Sequence, residues 1–167
     1  MNFEIVFESE RILFVRLSEK LINDYLNMVN DKEIRKLISH DIRTYTFLDE
    51  SEWVKSKINE KANVFSMIEK ETNDFIGNIE IMNIKDNIGE LGISITSKKQ
   101  GNHYGQEAIK KMIDYSFNEL KLDGLDLYVF DFNERAINCY QKVGFKKVGI
   151  GRTEDEIYMV LKNEKNW

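Results

Sequence analysis

Three runs of alternating apolar residues, divided only by polar turns, dominate the middle of the chain: Val64 to Glu69, Phe75 to Asn83 and Glu90 to Ile95. Alternation with a period of two marks a strand whose faces meet different surroundings. Glu71-Thr72-Asn73-Asp74 and Lys85-Asp86-Asn87 supply the turns, so the runs predict a meander. In the middle run Gly77, Ile79 and Ile81 share one face, and Asn78, Glu80 and Met82 the other. The sequence has no proline, so turns fall to Gly, Asn and Asp.

Helical periodicity flanks this meander on both sides. Ahead of it, Arg11 to Leu17 reads as a first strand. Ser18 then caps a helix with Leu21, Ile22, Tyr25, Leu26 and Val29 on one face. Residues 31–48 are polar and mixed, with no clear period. Asp49 with Glu52 resembles a capping box that opens a second helix carrying Trp53, Val54 and Ile58. Behind the meander, Ala108, Ile109, Met112, Ile113 and Leu120 fall at helical spacing. A strand from Leu125 to Phe132 follows, then a short helix from Glu134 to Val143 closed by Gly144. Phe145 to Val148 and Glu156 to Leu161 read as the last strands. The order predicts an α/β chain of the α+β type. Its sheet is mixed, mostly antiparallel and about seven strands wide, with helices on both faces, in a single domain over residues 1–167.

Composition narrows the function. With 167 residues, 42% of them hydrophobic and 32% charged, the chain can bury a core without disulfides or metal. No apolar stretch is long enough to span a bilayer, and the first residues lack the basic-then-apolar pattern of a secretion signal. The single cysteine, Cys139, excludes an internal disulfide and a cysteine-rich zinc site, which fits a reducing cytoplasm. A formal net charge of −5 disfavours a nucleic-acid partner and suits a cationic one.

Two segments carry chemistry. The first is a strand, a loop and a helix, from Ile93-Ser94-Ile95 through Gln100-Gly101-Asn102-His103-Tyr104-Gly105 to Ala108. A loop of small residues that ends at a helix N-terminus offers free N–H groups and the positive end of the helix dipole, which suits phosphate. Lys98 and Lys99 add positive charge beside it. The second segment runs from Asn133 to Phe145, with Asn133 placed as an N-cap and Ala136, Ile137, Tyr140 and Val143 on one face.

Together the two segments resemble the GNAT superfamily of acyl-CoA-dependent N-acyltransferases. The pattern N-x-x-A-x-x-x-Y-x-x-x-G-F is matched at Asn133, Ala136, Tyr140, Gly144 and Phe145. The pattern Q/R-x-x-G-x-G/A is matched at Gln100 and Gly105, with His103 at the middle glycine position. Glu10-Arg11-Ile12-Leu13, Gln100-Gly101, Tyr104-Gly105, Glu107-Ala108-Ile109 and Tyr158-Met159 are similar to the branch that acetylates ribosomal-protein N-termini and polyamines.

The resemblance implies an acetyl-CoA-dependent transfer to a primary amine, with spermidine as the best single acceptor, by direct attack in a ternary complex and without a metal. It implies that Gln100, Gly101, Asn102, His103, Tyr104 and Gly105 hold the pyrophosphate. Ile93, Ser94 and Ile95 then pair with the pantetheine arm, and Asn133 and Tyr140 lie along its far side. Tyr140 is the implied acid for the departing thiolate, and Glu80, Glu90 or water takes the proton of the amine. N-terminal acetylation of a ribosomal protein and a non-catalytic CoA-binding sensor are the two alternatives. No membrane partner is implied, and a homodimer is the commonest assembly to expect. His40 reads as a surface histidine, and Cys139 as a poor nucleophile within a helix.

Overall fold

Local chemistry explains where the elements start and stop in the computed structural model, which describes residues 2–41 and 43–166. β1 (Ile5–Glu8) and β2 (Ile12–Arg16) form an antiparallel hairpin in which Phe7 sits opposite Phe14, their rings stacked at 4.7 Å. Ser18 accepts from the Lys20 N–H at 3.2 Å and opens a 3-10 turn that runs into α1 (Ile22–Val29). α1 buries Ile22, Tyr25 and Met28, and the Tyr25 hydroxyl meets Ser66 at 2.5 Å. Asp31 caps α2 (Lys32–Ile38), a short helix within the stretch that shows no periodicity in the sequence.

α3 (Phe47–Asn59) begins two residues before the Asp49 cap that the sequence suggests. Thr46 is the cap, and Asp49 is the third residue of the box. The Asp49 N–H donates to Thr46 Oγ1 at 3.1 Å, and the Thr46 N–H donates to Asp49 Oδ2 at 2.8 Å.

The meander is β3 (Asn63–Glu69), β4 (Phe75–Lys85) and β5 (Ile88–Ile95). On β4, Gly77, Ile79 and Ile81 are buried while Asn78, Glu80 and Met82 are half-buried, as the alternation requires. Asp86 and Asn87, with φ of +52° and +61°, form the tight turn between β4 and β5. α4 (Tyr104–Asp114) continues as one π-helical turn, Tyr115–Glu119. β6 (Gly124–Phe130), α5 (Glu134–Lys142), β7 (Lys146–Ile150) and β8 (Glu156–Lys162) complete the order, with Gly144 at φ +113° just past α5.

The strands make one eight-stranded sheet in the order β1-β2-β3-β4-β5-β6-β8-β7, mostly antiparallel. The strand beyond the expected seven is β1. It was illegible because Ile5 is half-exposed and the run is only four residues long. β5 and β6 pair in parallel at Ile88↔Gly124, Gly89↔Leu125 and Glu90↔Asp126. β6 pairs antiparallel with β8 from Gly124↔Lys162 to Phe130↔Glu156.

Two compact units share the chain: residues 1–80 with 93–104, and residues 81–92 with 105–167. The first is built on a cluster that includes Val15, Leu21, Tyr25, Val54, Ile68 and Phe75. The second buries Ala108, Ile109, Met112, Leu125, Leu127, Phe145 and Met159. Among the described residues no helix is long and apolar enough to cross a membrane.

Candidate active site

In the first unit, the end of β5 leads into a loop shaped by its own side chains. Ile93, Ser94 and Ile95 are the half-buried last residues of the strand. Gln100 Nε2 donates to the Ile95 carbonyl at 3.0 Å and ties the loop to the strand end. Asn102 Nδ2 donates to the carbonyls of Lys99 and Gln100, each at 3.3 Å. Gly101 has φ +79° and His103 φ +64°, so the loop keeps a left-handed turn at the position where the family motif has its middle glycine. The His103 side chain is exposed. α4 starts at once, and the first N–H groups of a helix have no acceptor within it.

The loop is held from below. Arg11 Nη1 donates to the Asn102 carbonyl at 3.0 Å, and its guanidinium stacks 4.2 Å from the centre of the Tyr104 ring. Tyr104 is buried and gives its hydroxyl to Glu69. Lys99 Nζ meets Glu69 Oε2 and Asp74 Oδ2, both at 2.9 Å. Hydrogen bonds from the Thr72 and Tyr104 hydroxyls and from Lys99 hold the Glu69 carboxyl down to about 2. Lys99 is therefore committed to Asp74 and Glu69, which raise it in turn, and Lys98 is the exposed cation at the loop. Nothing stands within 4 Å of where a Gly101 Cβ would be. Residues 97–105 include no carboxylate. Helix-start N–H groups and open space at Gly101 fit a phosphate-bearing cofactor, with Glu69 and Asp74 beside the loop paired with Lys99.

In the second unit, the Asn133 side chain accepts from the Ala136 N–H at 3.3 Å and starts α5. Tyr140 is buried on that helix, its ring 6.0 Å from Phe145 at an edge-on angle. Burial, then the neighbouring Cys139, push the Tyr140 hydroxyl above its ordinary range. Among the described residues that hydroxyl makes no hydrogen bond, so its proton is unspent. Cys139 is half-buried and its thiol is also pushed up by burial, against any role as a nucleophile. His40 is exposed.

Of the two carboxylates singled out in the sequence, Glu80 is half-buried on β4 and Glu90 is buried on β5. Arg152 grips Glu90 at two points, Nη2 to Oε1 at 2.6 Å and Nη1 to Oε2 at 3.3 Å. Asn83, at φ +48° within β4, adds its amide to Oε1 at 3.2 Å. Arg152 carries no sequence signal for this role, because its turn meets Glu90 only through the strand order.

Residues 11–146 match the family model for the acetyltransferase (GNAT) domain. The chain belongs to the GNAT acetyltransferase family. It is 29% identical over 130 residues to the uncharacterized N-acetyltransferase p20 of Bacillus licheniformis, across 74% of this chain and 72% of that one. Its fold matches that of spermidine N-acetyltransferase from Vibrio cholerae, solved in complex with CoA and spermine. The TM-score is 0.82 at 22% identity, over 93% of this chain and 97% of the other. It also matches the ribosomal-protein-S5-alanine acetyltransferase of Vibrio fischeri, with a TM-score of 0.78 at 20% identity, over 95% and 96% of the two chains. This GNAT chain is an acetyltransferase, and the likeness to the two solved enzymes is one of fold.

Proposed function

We propose that this GNAT enzyme transfers the acetyl group of acetyl-CoA to a primary amine of a small polyamine such as spermidine, by direct attack while both substrates are bound. The observation that carries the reading is the loop at the head of α4, whose left-handed turn is retained at His103 and whose own residues carry no carboxylate. The similarity to a spermidine enzyme and the net charge of −5 support the acceptor. A single free cysteine suits a cytoplasmic setting.

When bound, acetyl-CoA supplies an activated thioester and a thiol leaving group. The N–H groups from Gly101 to Gly105 hold its pyrophosphate, and Gln100, Asn102, His103 and Tyr104 keep the loop in shape. The main chain of Ile93, Ser94 and Ile95 pairs with the pantetheine arm like an added strand, and an N–H of that stretch stabilises the oxyanion. Asn133 caps the helix that carries Tyr140. A protonated amine, with a pKa of about 10.4 if lysine-like, must first lose a proton, and Glu80 or Glu90 takes it through water. Tyr140 then gives its proton to the departing thiolate as the C–S bond breaks, and regains one from the attacking nitrogen, which sheds its second proton as the amide forms.

Release of free thiol from acetyl-CoA, measured across polyamines, aminoglycosides, amino acids and N-terminal peptides, tests this reading. Spermidine should outperform a monoamine of similar length. Fast turnover of peptides with none of polyamines would transfer the assignment to protein N-termini.

A further inference from the structure

One face of the second unit gathers acids and aromatic rings. The parallel register places Glu90 beside Asp126. Two residues along β6 lies Tyr128, on the same side of the strand, and opposite it on β8 is Tyr158. The two rings are 5.0 Å apart, and the Tyr158 hydroxyl donates to Asp126 Oδ2 at 2.7 Å. Asp126, Tyr128 and Tyr158 are half-buried, while their neighbours Leu125, Leu127, Val129 and Met159 are buried on the opposite side.

Two carboxylates and two aromatic rings make a setting for a cation. The chain itself places one there. The guanidinium of Arg152 lies 3.8 Å from the centre of the Tyr128 ring while it grips Glu90. Arg152 arrives from the turn between β7 and β8, where Gly151 lies close to Tyr128 and the Arg152 N–H donates to Glu156 at 3.0 Å. Its side chain is 55% exposed although its partner is buried.

The charges are unequal. One guanidinium serves two carboxylates: Arg152 hydrogen-bonds Glu90, while Asp126 takes the Tyr158 hydroxyl and a backbone N–H and feels the Arg152 charge through space. Burial, then the nearby charge of Glu90, push the Asp126 carboxyl up. A ligand with two ammonium groups can hydrogen-bond both acids, whereas Arg152 hydrogen-bonds Glu90 and acts on Asp126 by its charge alone. An exposed arginine on a turn can return to water when such a ligand arrives.

We infer that this face of β5, β6 and β8 is a cation box for the acceptor, and that Arg152 occupies it at rest as an internal competitor which the acceptor displaces. The inference rests on the polyamine reading for the identity of the cation. Glu90, Asp126, Tyr128 and Tyr158 form the box, and Arg152 sets how much of the time it is open.

The test compares wild type, Arg152→Gln, Asp126→Asn and the double variant by calorimetry with spermine, alongside turnover of spermidine. Arg152→Gln should bind spermine about 10-fold more tightly, the gain expected if the box stands open roughly a tenth of the time. Its melting temperature should drop, because a buried carboxylate has lost its partner, and spermine should restore it. Asp126→Asn should cancel the gain. Arg152→Lys keeps the charge without the two-point grip and should show a smaller gain, so the test does not depend on one variant folding. Unchanged or weaker spermine binding in both Arg152 variants overturns the box. If spermine binding tightens as expected but wild type acetylates no polyamine, the acceptor reading fails and the box stands as a cation site. If polyamines are acetylated and the Arg152 variants behave as wild type, the box fails and the acceptor reading stands.

Discussion

Tyr104 gives its hydroxyl to Glu69, a residue 35 positions earlier in the chain, and so fastens the head of α4 to the end of β3. The same carboxylate takes Lys99 at 2.9 Å. A strand end thus sets the position of the loop that we assign to the cofactor.

Glu69→Gln should loosen that loop. It removes a charge held down to about 2, against about 4.3 for an unfolded glutamate. A carboxyl depressed on folding stabilises the protein above its unfolded pKa, and the stabilisation is lost as pH falls through the folded one. Melting temperatures of wild type and Glu69→Gln should therefore differ most near neutral pH and converge between about pH 4.3 and 2. Parallel curves over that range would remove Glu69 from this role. CoA affinity should fall several-fold in the variant.

Gly77→Ala tests the close approach of β4 and β5. A Cβ there would stand 1.9 Å from the Ser94 carbonyl oxygen, which is main chain and cannot swing aside. The cost should reach or exceed the ~1–3 kcal/mol typical of overpacking. Urea unfolding measures it, and a loss under about 0.5 kcal/mol, ordinary for a surface change, would mean the strands move apart freely.

Tyr140→Phe keeps the contact with Phe145 and removes the proposed acid. Turnover should fall by about 10²–10⁴-fold, the range of general acid catalysis. CoA affinity and melting temperature should stay close to wild type, since the hydroxyl has no hydrogen bond among the described residues. Because the hydroxyl is pushed up, it stays protonated beyond the ordinary ~10. The wild-type rate should therefore show no alkaline loss from this group. Full turnover in the variant would assign thiolate protonation to water.

The sequence made the meander, the loop before α4 and the capped helix of Tyr140 legible, because period, turn residues and caps are local signals. α2 was not legible, since only Ile34 on it is buried and seven residues leave little periodicity. The Asp49 cap was misplaced because Thr46-x-x-Asp49 and Asp49-x-x-Glu52 both look like boxes, and only the hydrogen bonds separate them. Lys99 read as a phosphate-facing cation, yet Glu69 and Asp74 take it. The grouping of Glu90, Asp126, Tyr128, Tyr158 and Arg152 depends on register between distant strands, which no local pattern carries.

The central claim is that the loop from Gln100 to Gly105 holds the pyrophosphate of CoA. Calorimetry with CoA on wild type, Gly101→Ala and Gly101→Glu tests it most directly. Both variants place a Cβ at φ +79°, at a backbone cost of about 1–2 kcal/mol, but only the second adds an anion. The account predicts one CoA per chain in wild type, modest weakening in Gly101→Ala and severe loss in Gly101→Glu. Equal affinity in the two variants, or no heat with wild type, would contradict it.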